Sequence, residues 1–146
     1  MEAKELMIGD RVFVPKMNKA VRVKAVYGTM IIPNPDDGDV HASIGDEYLE
    51  PIPLASELLE RNGFERVSQP GCANPYHWMM EKYEEETDGL LFRIKAYYTP
   101  FRGMFVSIDN PSACETISFG KQIEFVHELQ HVLRLCEIEL DIKLED

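Results

Sequence analysis

Residues 90–98 read Leu-Leu-Phe-Arg-Ile-Lys-Ala-Tyr-Tyr. Side chains alternate between the two faces of an extended strand. Leu90, Phe92, Ile94, Ala96 and Tyr98 therefore share one face, and Arg93 and Lys95 lie on the other. That pattern is a strand with one buried face. Just before it, Glu85-Glu86-Thr87-Asp88-Gly89 carries the Asp-Gly signal of a hairpin turn. Before the turn, Tyr76 to Glu84 also alternates, with Tyr76, Trp78 and Met80 on one face. After it, Met104, Val106 and Ile108 mark another strand, closed by the turn Asp109-Asn110-Pro111. The middle of the chain thus predicts an antiparallel meander.

On the C-terminal side, Lys121 to Cys136 holds no glycine or proline and is expected to be the main helix. Its apolar stripe should lie on the meander. The tail then changes period. Ile138, Leu140, Ile142 and Leu144 alternate with charged residues, which predicts a half-buried final strand. On the N-terminal side, Leu54–Asn62 reads as a short helix, with Gly63 suited to its C-terminal cap, and Phe64–Val67 starts a strand. Pro51-Ile52-Pro53 is a stiff connector. Ahead of it come short strand candidates: Arg11–Val14, Ala20–Tyr27, Met30–Ile32, Val40–Ser43 and Glu47–Leu49. Short strands at this spacing suggest a small SH3-like β-barrel module. The expected fold is α+β: residues 1–53 form the SH3-like module, and residues 54–146 form a module of helix, antiparallel meander, long helix and C-terminal strand.

Composition sets outer bounds. The chain has 146 residues, 45% hydrophobic, enough for a core without disulfide or metal staples. No apolar run approaches the roughly 18–20 residues of a membrane helix, and no basic-then-apolar leader opens the chain. A cytoplasmic protein is expected. Cys72, Cys114 and Cys136 show no paired spacing, so structural roles are expected for all three. A formal net charge of −11 repels phosphate backbones, so direct nucleic-acid binding is not expected. The same charge suits a basic protein partner, or mimicry of nucleic acid. The acidic loop 33–39 is not an EF-hand. Counting from Asp36, positions 3 and 5 are Gly38 and Val40, which offer no side-chain oxygen.

One motif carries chemistry: His127-Glu128-Leu129-Gln130-His131. Histidines four apart on a helix stand one turn apart on the same face. In a zinc hydrolase the pair binds the metal and the intervening glutamate activates water. His127 and His131 would then be ligands, Glu128 the general base and Glu137 the third ligand. His41, His77, Glu139 and Asp141 are other candidates for that third place, and spacing selects none. Against zinc, Arg134 stands where the extended zincin motif has a helix-ending glycine. The apolar stripe gathers Val126, Leu129, Val132, Leu133 and Cys136, so both histidines fall toward the polar side beside Glu124 and Glu128. They read as solvated surface residues, unless the sheet or the N-terminal module covers that side. There is no nucleophile elbow, Walker loop or dinucleotide fingerprint. Cys72 with His77 specifies no geometry, and Trp78, Tyr97, Tyr98 and Phe101 read as core before binding surface.

Ile8-Gly9-Asp10-Arg11-Val12, Glu50-Pro51-Ile52-Pro53-Leu54 and Leu58-Leu59-Glu60-Arg61-Asn62-Gly63-Phe64 resemble small uncharacterised proteins of gut Bacteroidetes and their phages or mobile elements. So does the stretch from Phe125 to Leu135. The resemblance covers the plan of the chain, with the middle less similar. It brings no catalytic residues. Members that read His-Gln-Leu-Gln-Asn at the motif imply a group not built around zinc. It implies an accessory protein of a mobile element acting inside the bacterial cell through an unidentified protein partner.

Overall fold

The computed structural model describes residues 1–34, 43–66, 78–85, 91–99, 103–110, 115–118, 121–136, 138 and 142–144. The architecture is α+β, with a curled antiparallel sheet, a second antiparallel sheet and two α-helices among these residues. The chain forms two compact units, one of Met1–Pro53 with Phe125–His131, the other of Leu54–Glu124 with Val132–Asp146.

The first unit holds strands β1 (Arg11–Val14), β2 (Lys19–Tyr27), β3 (Met30–Pro33) and β4 (Ile44–Gly45), hydrogen-bonded in that order. The sheet curls because β2 serves two neighbours. Lys19 to Arg22 pair with β1, and Val23 to Tyr27 pair with β3. The register shifts between Val23 and Ala25, the irregularity that bends a strand. Val12, Val14, Val21, Val23 and Ile31 form one buried cluster with Ala3, Leu6 and Leu49. Gly28, at φ +54, takes the first of two loop positions between β2 and β3, where a type II′ turn places glycine.

Glu47–Leu49 is not a strand. Asp46–Tyr48 forms a 3-10 turn, in which Asp46 N donates to Thr29 O at 2.8 Å and Asp46 Oδ2 accepts from Ala3 N at 3.1 Å. The turn closes through its own backbone, Leu49 N donating to Asp46 O at 3.2 Å. The acidic loop and most of the expected Val40–Ser43 strand, His41 included, lie outside the described residues.

The second unit holds α1 (Ser56–Arg61) and a sheet of β5 (Glu65–Arg66), β6 (Trp78–Glu85), β7 (Leu91–Thr99), β8 (Gly103–Asn110) and β9 (Glu115–Ser118). The strands follow in chain order and all pairs are antiparallel, as a meander requires. Ile94↔Ile108 and Ala96↔Val106 are register partners, and all four are buried. On the opposite face Asp109 accepts from Arg93 and Lys95, and Tyr97 stacks on Phe105. Strand β9 carries no alternation that sequence reading registered. The turns 85–89 and 109–111 lie partly, and Tyr76, His77 and Phe101 wholly, outside the described residues.

Helix α1 ends in a Schellman closure. Phe64 N donates to Leu59 O and Gly63 N to Glu60 O, with Gly63 at φ +88. Leu59 and Phe64, the pair that brackets such a closure, are both buried. The helix starts at Ser56 rather than Leu54, because Ala55 is extended, at φ −105 and ψ 160, and stands as its N-cap.

Helix α2 spans Val126–Leu135, so the expected start at Lys121 is five residues early. The segment before it runs alongside other chain: Ile123 N donates to Met104 O and Pro53 bridges Phe125. Ile123 keeps the phase of the helical stripe, yet its backbone is satisfied outside a helix. The stripe is also divided. Val126 and Leu129 belong to the first unit, Val132 and Leu133 to the second, and all four are buried.

The expected C-terminal strand is absent among the described residues. The tail is tied instead by side chains. Asn62 donates from Nδ2 to Lys143 O and accepts at Oδ1 from Lys143 N, replacing a ladder with one buried amide. Arg61 donates to Leu144 O at 2.6 Å. Ile138 and Ile142 are buried, so the alternation reports burial without pairing.

Candidate functional site

The His-Glu-x-x-His motif opens α2 and lies within the first unit. Its four polar side chains have different fates.

Glu128 stands three positions after Phe125, the residue that precedes the helix. Its Oε1 accepts from Phe125 N at 3.1 Å, the backward half of a capping box. Val126 N, a second orphan donor of the helix start, reaches Ile52 O at 2.9 Å. The glutamate that a hydrolase would use as base is a cap in this chain.

Gln130 is buried and brackets the entrance to β1. Its Oε1 accepts from Arg11 N at 2.9 Å and its Nε2 donates to Gly9 O at 3.1 Å. Between those two contacts stands Asp10, fully buried at 0% exposure. Asp10 Oδ2 accepts from Met7 N at 2.8 Å and lies 2.6 Å from His131 Nε2. A carboxylate oxygen accepts, so His131 carries its proton on Nε2. The His131 side chain is 26% exposed.

His127 is only 6% exposed. Its ring stacks on Phe125 at 5.9 Å and 7°, and meets His131 edge-on at 5.7 Å. Its Nδ1 is buried without a hydrogen-bond partner among the described residues. Burial holds the His127 pKa below the usual imidazole range, and the charges of Asp10 and Glu128 oppose that shift in part.

This corrects the expectation of two solvated histidines. The helical arithmetic places them off the apolar stripe, as expected, but the Gly9–Arg11 segment of the first unit covers that side. Sequence reading assigned Gly9-Asp10 only a turn. It missed Asp10 and Gln130 as site residues, and nothing in local spacing couples positions 121 residues apart, as Asp10 and His131 are.

The fit to a zinc centre is poor on these residues. His131 Nε2, the atom that would bind metal in a zincin, donates to Asp10. Glu128 is turned to the helix start. Among the described residues no group of three His, Cys, Asp or Glu side chains converges as metal ligands. Glu137, His41, His77, Glu139 and Asp141 lie outside the described residues, as do Cys72 and Cys114. Cys136 is a free, half-buried thiol whose pKa burial pushes up, the state of an unreactive cysteine.

No known family matches this chain. Neither family profiles, nor curated proteins, nor solved structures show a match. Among the described residues no helix is long and apolar enough to cross a membrane.

Proposed function

We propose that this chain is a noncatalytic protein-interaction module, an accessory protein of a phage or mobile element acting in the bacterial cytoplasm. The observation that carries the reading is the internal engagement of the one motif with catalytic potential. Glu128 caps its own helix, and His131 pairs with buried Asp10. The curled sheet of the first unit supports an SH3-like reading of residues 1–53. The stretches that resemble Bacteroidetes mobile-element proteins support the setting.

An outward apolar row on the first unit supports an interaction role. Tyr27, Met30 and Gly45 are register partners across β2, β3 and β4, so they share a sheet face. The Tyr48 ring lies beside Gly45, with Lys16 Nζ 3.8 Å from its centre. Tyr27 is 65% exposed and Met30 and Tyr48 are each 41% exposed. Exposed aromatic and methionine side chains in a row are what protein interfaces enrich.

One observation favours a second reading. Buried His127 against His131 removes the solvated-surface argument, and a zinc hydrolase using His127, His131, Glu128 and Glu137 follows if Asp10 yields His131 to a metal. Metal content, measured by mass spectrometry on tag-free protein supplied with zinc, separates the two. We expect no stoichiometric metal. Near one zinc per chain, lost on His127→Ala with His131→Ala, would establish the second reading instead.

A further inference from the structure

Asn62 and Gly63 close α1 and form the only Asn-Gly pair in the chain. In such a pair the glycine nitrogen can attack the side-chain carbon of the asparagine, because no Cβ on the glycine obstructs the approach. The other asparagines are poorer candidates. Asn34, Asn74 and Asn110 precede proline, whose nitrogen carries no proton to give up, and Asn18 precedes the bulkier Lys19.

The second unit holds this pair in an unreactive geometry. Asn62 is only 7% exposed. Its Nδ2 donates to Leu58 O and Lys143 O, each at 2.8 Å, and its Oδ1 accepts from Lys143 N at 2.6 Å. The peptide plane that must turn for attack is held at both ends. Asn62 O accepts from Lys82 Nζ at 2.6 Å, and Gly63 N donates to Glu60 O at 3.1 Å. With Asn62 at ψ 16, Gly63 N is turned away from the Asn62 side chain. Two of the three side-chain contacts end on Lys143. Release of residues 142–144 therefore frees the amide, and opening one segment requires less free energy than unfolding the whole unit.

We propose that Asn62-Gly63 is a deamidation site, shut by residues 142–144 and opened by their release. Gly63 N gives its proton to solvent and bonds to Asn62 Cγ. The Cγ–Nδ2 bond breaks, and Nδ2 takes a proton from solvent and leaves as ammonia. The succinimide ring so formed is opened by water at either carbonyl, giving aspartate or isoaspartate. The product carries a carboxylate where a donor stood. A carboxylate only accepts, and Leu58 O and Lys143 O are acceptors too, so the clasp cannot reform. Isoaspartate also lengthens the main chain by one carbon. The reaction turns a reversible release of this segment into a lasting one. It is independent of whether α2 holds a metal.

The test follows conversion of Asn62 by peptide mass mapping and isoaspartyl labelling at neutral pH. The full chain is compared with the free peptide acetyl-Glu-Arg-Asn-Gly-Phe-Glu-amide, the sequence of residues 60–65. Reaction from a rapidly opening segment tracks the open population, so the full chain should convert at least about tenfold more slowly than the peptide. Lys143→Pro removes the donor to Asn62 Oδ1, and Ile142→Ala removes part of the burial that holds the segment. Each should speed conversion of the full chain about tenfold. Amide exchange at Ile94 and Val106 reports whether the sheet is intact in each variant, and Ile142→Ala is the milder change. Asn62→Asp, which imitates the product, should lose the exchange protection of the Lys143 amide. A native chain that converts as fast as the peptide would overturn the proposal, as would tail variants with intact sheets and unchanged rates. Native protection of Lys143 in Asn62→Asp would overturn the lasting release.

Discussion

The first half of α2, up to His131, adds polar contacts to its buried Val126 and Leu129, while the second half, from Val132, contributes further apolar burial. The first half is fixed by polar contacts inside its unit: Glu128 on Phe125 N, Gln130 on Gly9 and Arg11, His131 on Asp10. The second half contributes Val132 and Leu133, both buried, and closes where Ile138 N reaches Leu133 O. Apolar burial is non-directional and stabilises in proportion to area. Buried polar contacts add less net energy but are costly to leave half-made, so they fix register. One helix shows both, and the motif that reads as catalytic falls on the register-fixing half.

Single substitutions sharpen this contrast. The largest loss is expected on the apolar half. Leu133→Ala should cost about 3–4 kcal/mol in urea denaturation, since the site is closed on all sides. His131→Ala comes next, at about 2–3 kcal/mol, because it removes one hydrogen-bond partner from the buried Asp10 carboxylate. Asp10→Ala combined with His131→Ala should cost clearly less than the sum of the two singles. Additive losses would show that the pair is not coupled. Gln130→Ala removes two hydrogen bonds and should cost about 1–2 kcal/mol. Glu128→Ala, which removes a cap, should cost about 0.5–1 kcal/mol.

A smaller, signed effect concerns pH. Burial lowers the His127 pKa, so the unfolded chain takes up this proton first on acidification. Above about pH 6.5 both states are neutral at this ring and it contributes no pH dependence. Below that, stability falls until pH passes the lower folded value. Against His127→Phe, which keeps the stack on Phe125, the native chain should lose stability as pH is lowered from 7.5 to 5.5. Parallel curves for the two proteins would remove His127 as the source.

Much of the sheet was legible from alternation. Val12 with Val14, Val21 with Val23, and Ile94 with Ala96 each bury one face of a strand that sequence reading marks. What escaped was decided by partners far along the chain. Ile123 looks helical by phase but pairs by backbone with Met104, and Ile142 looks like a strand residue but lies beside an Asn62 amide pairing. The candidate site shows the same limit. The spacing of His127 and His131 placed them one turn apart, and their rings do meet. No local pattern announced that Asp10 would stand against His131, so their burial was not readable from helix arithmetic.

The most direct test of the motif as a structural clamp is a long-range ¹H–¹⁵N spectrum of the histidine rings, recorded with and without one equivalent of zinc. The clamp predicts His131 protonated on Nε2, and ring signals of His127 and His131 unmoved by the metal. A stoichiometric shift of both rings together, with loss of the His131 Nε2 proton, would contradict it and make the helix a metal site.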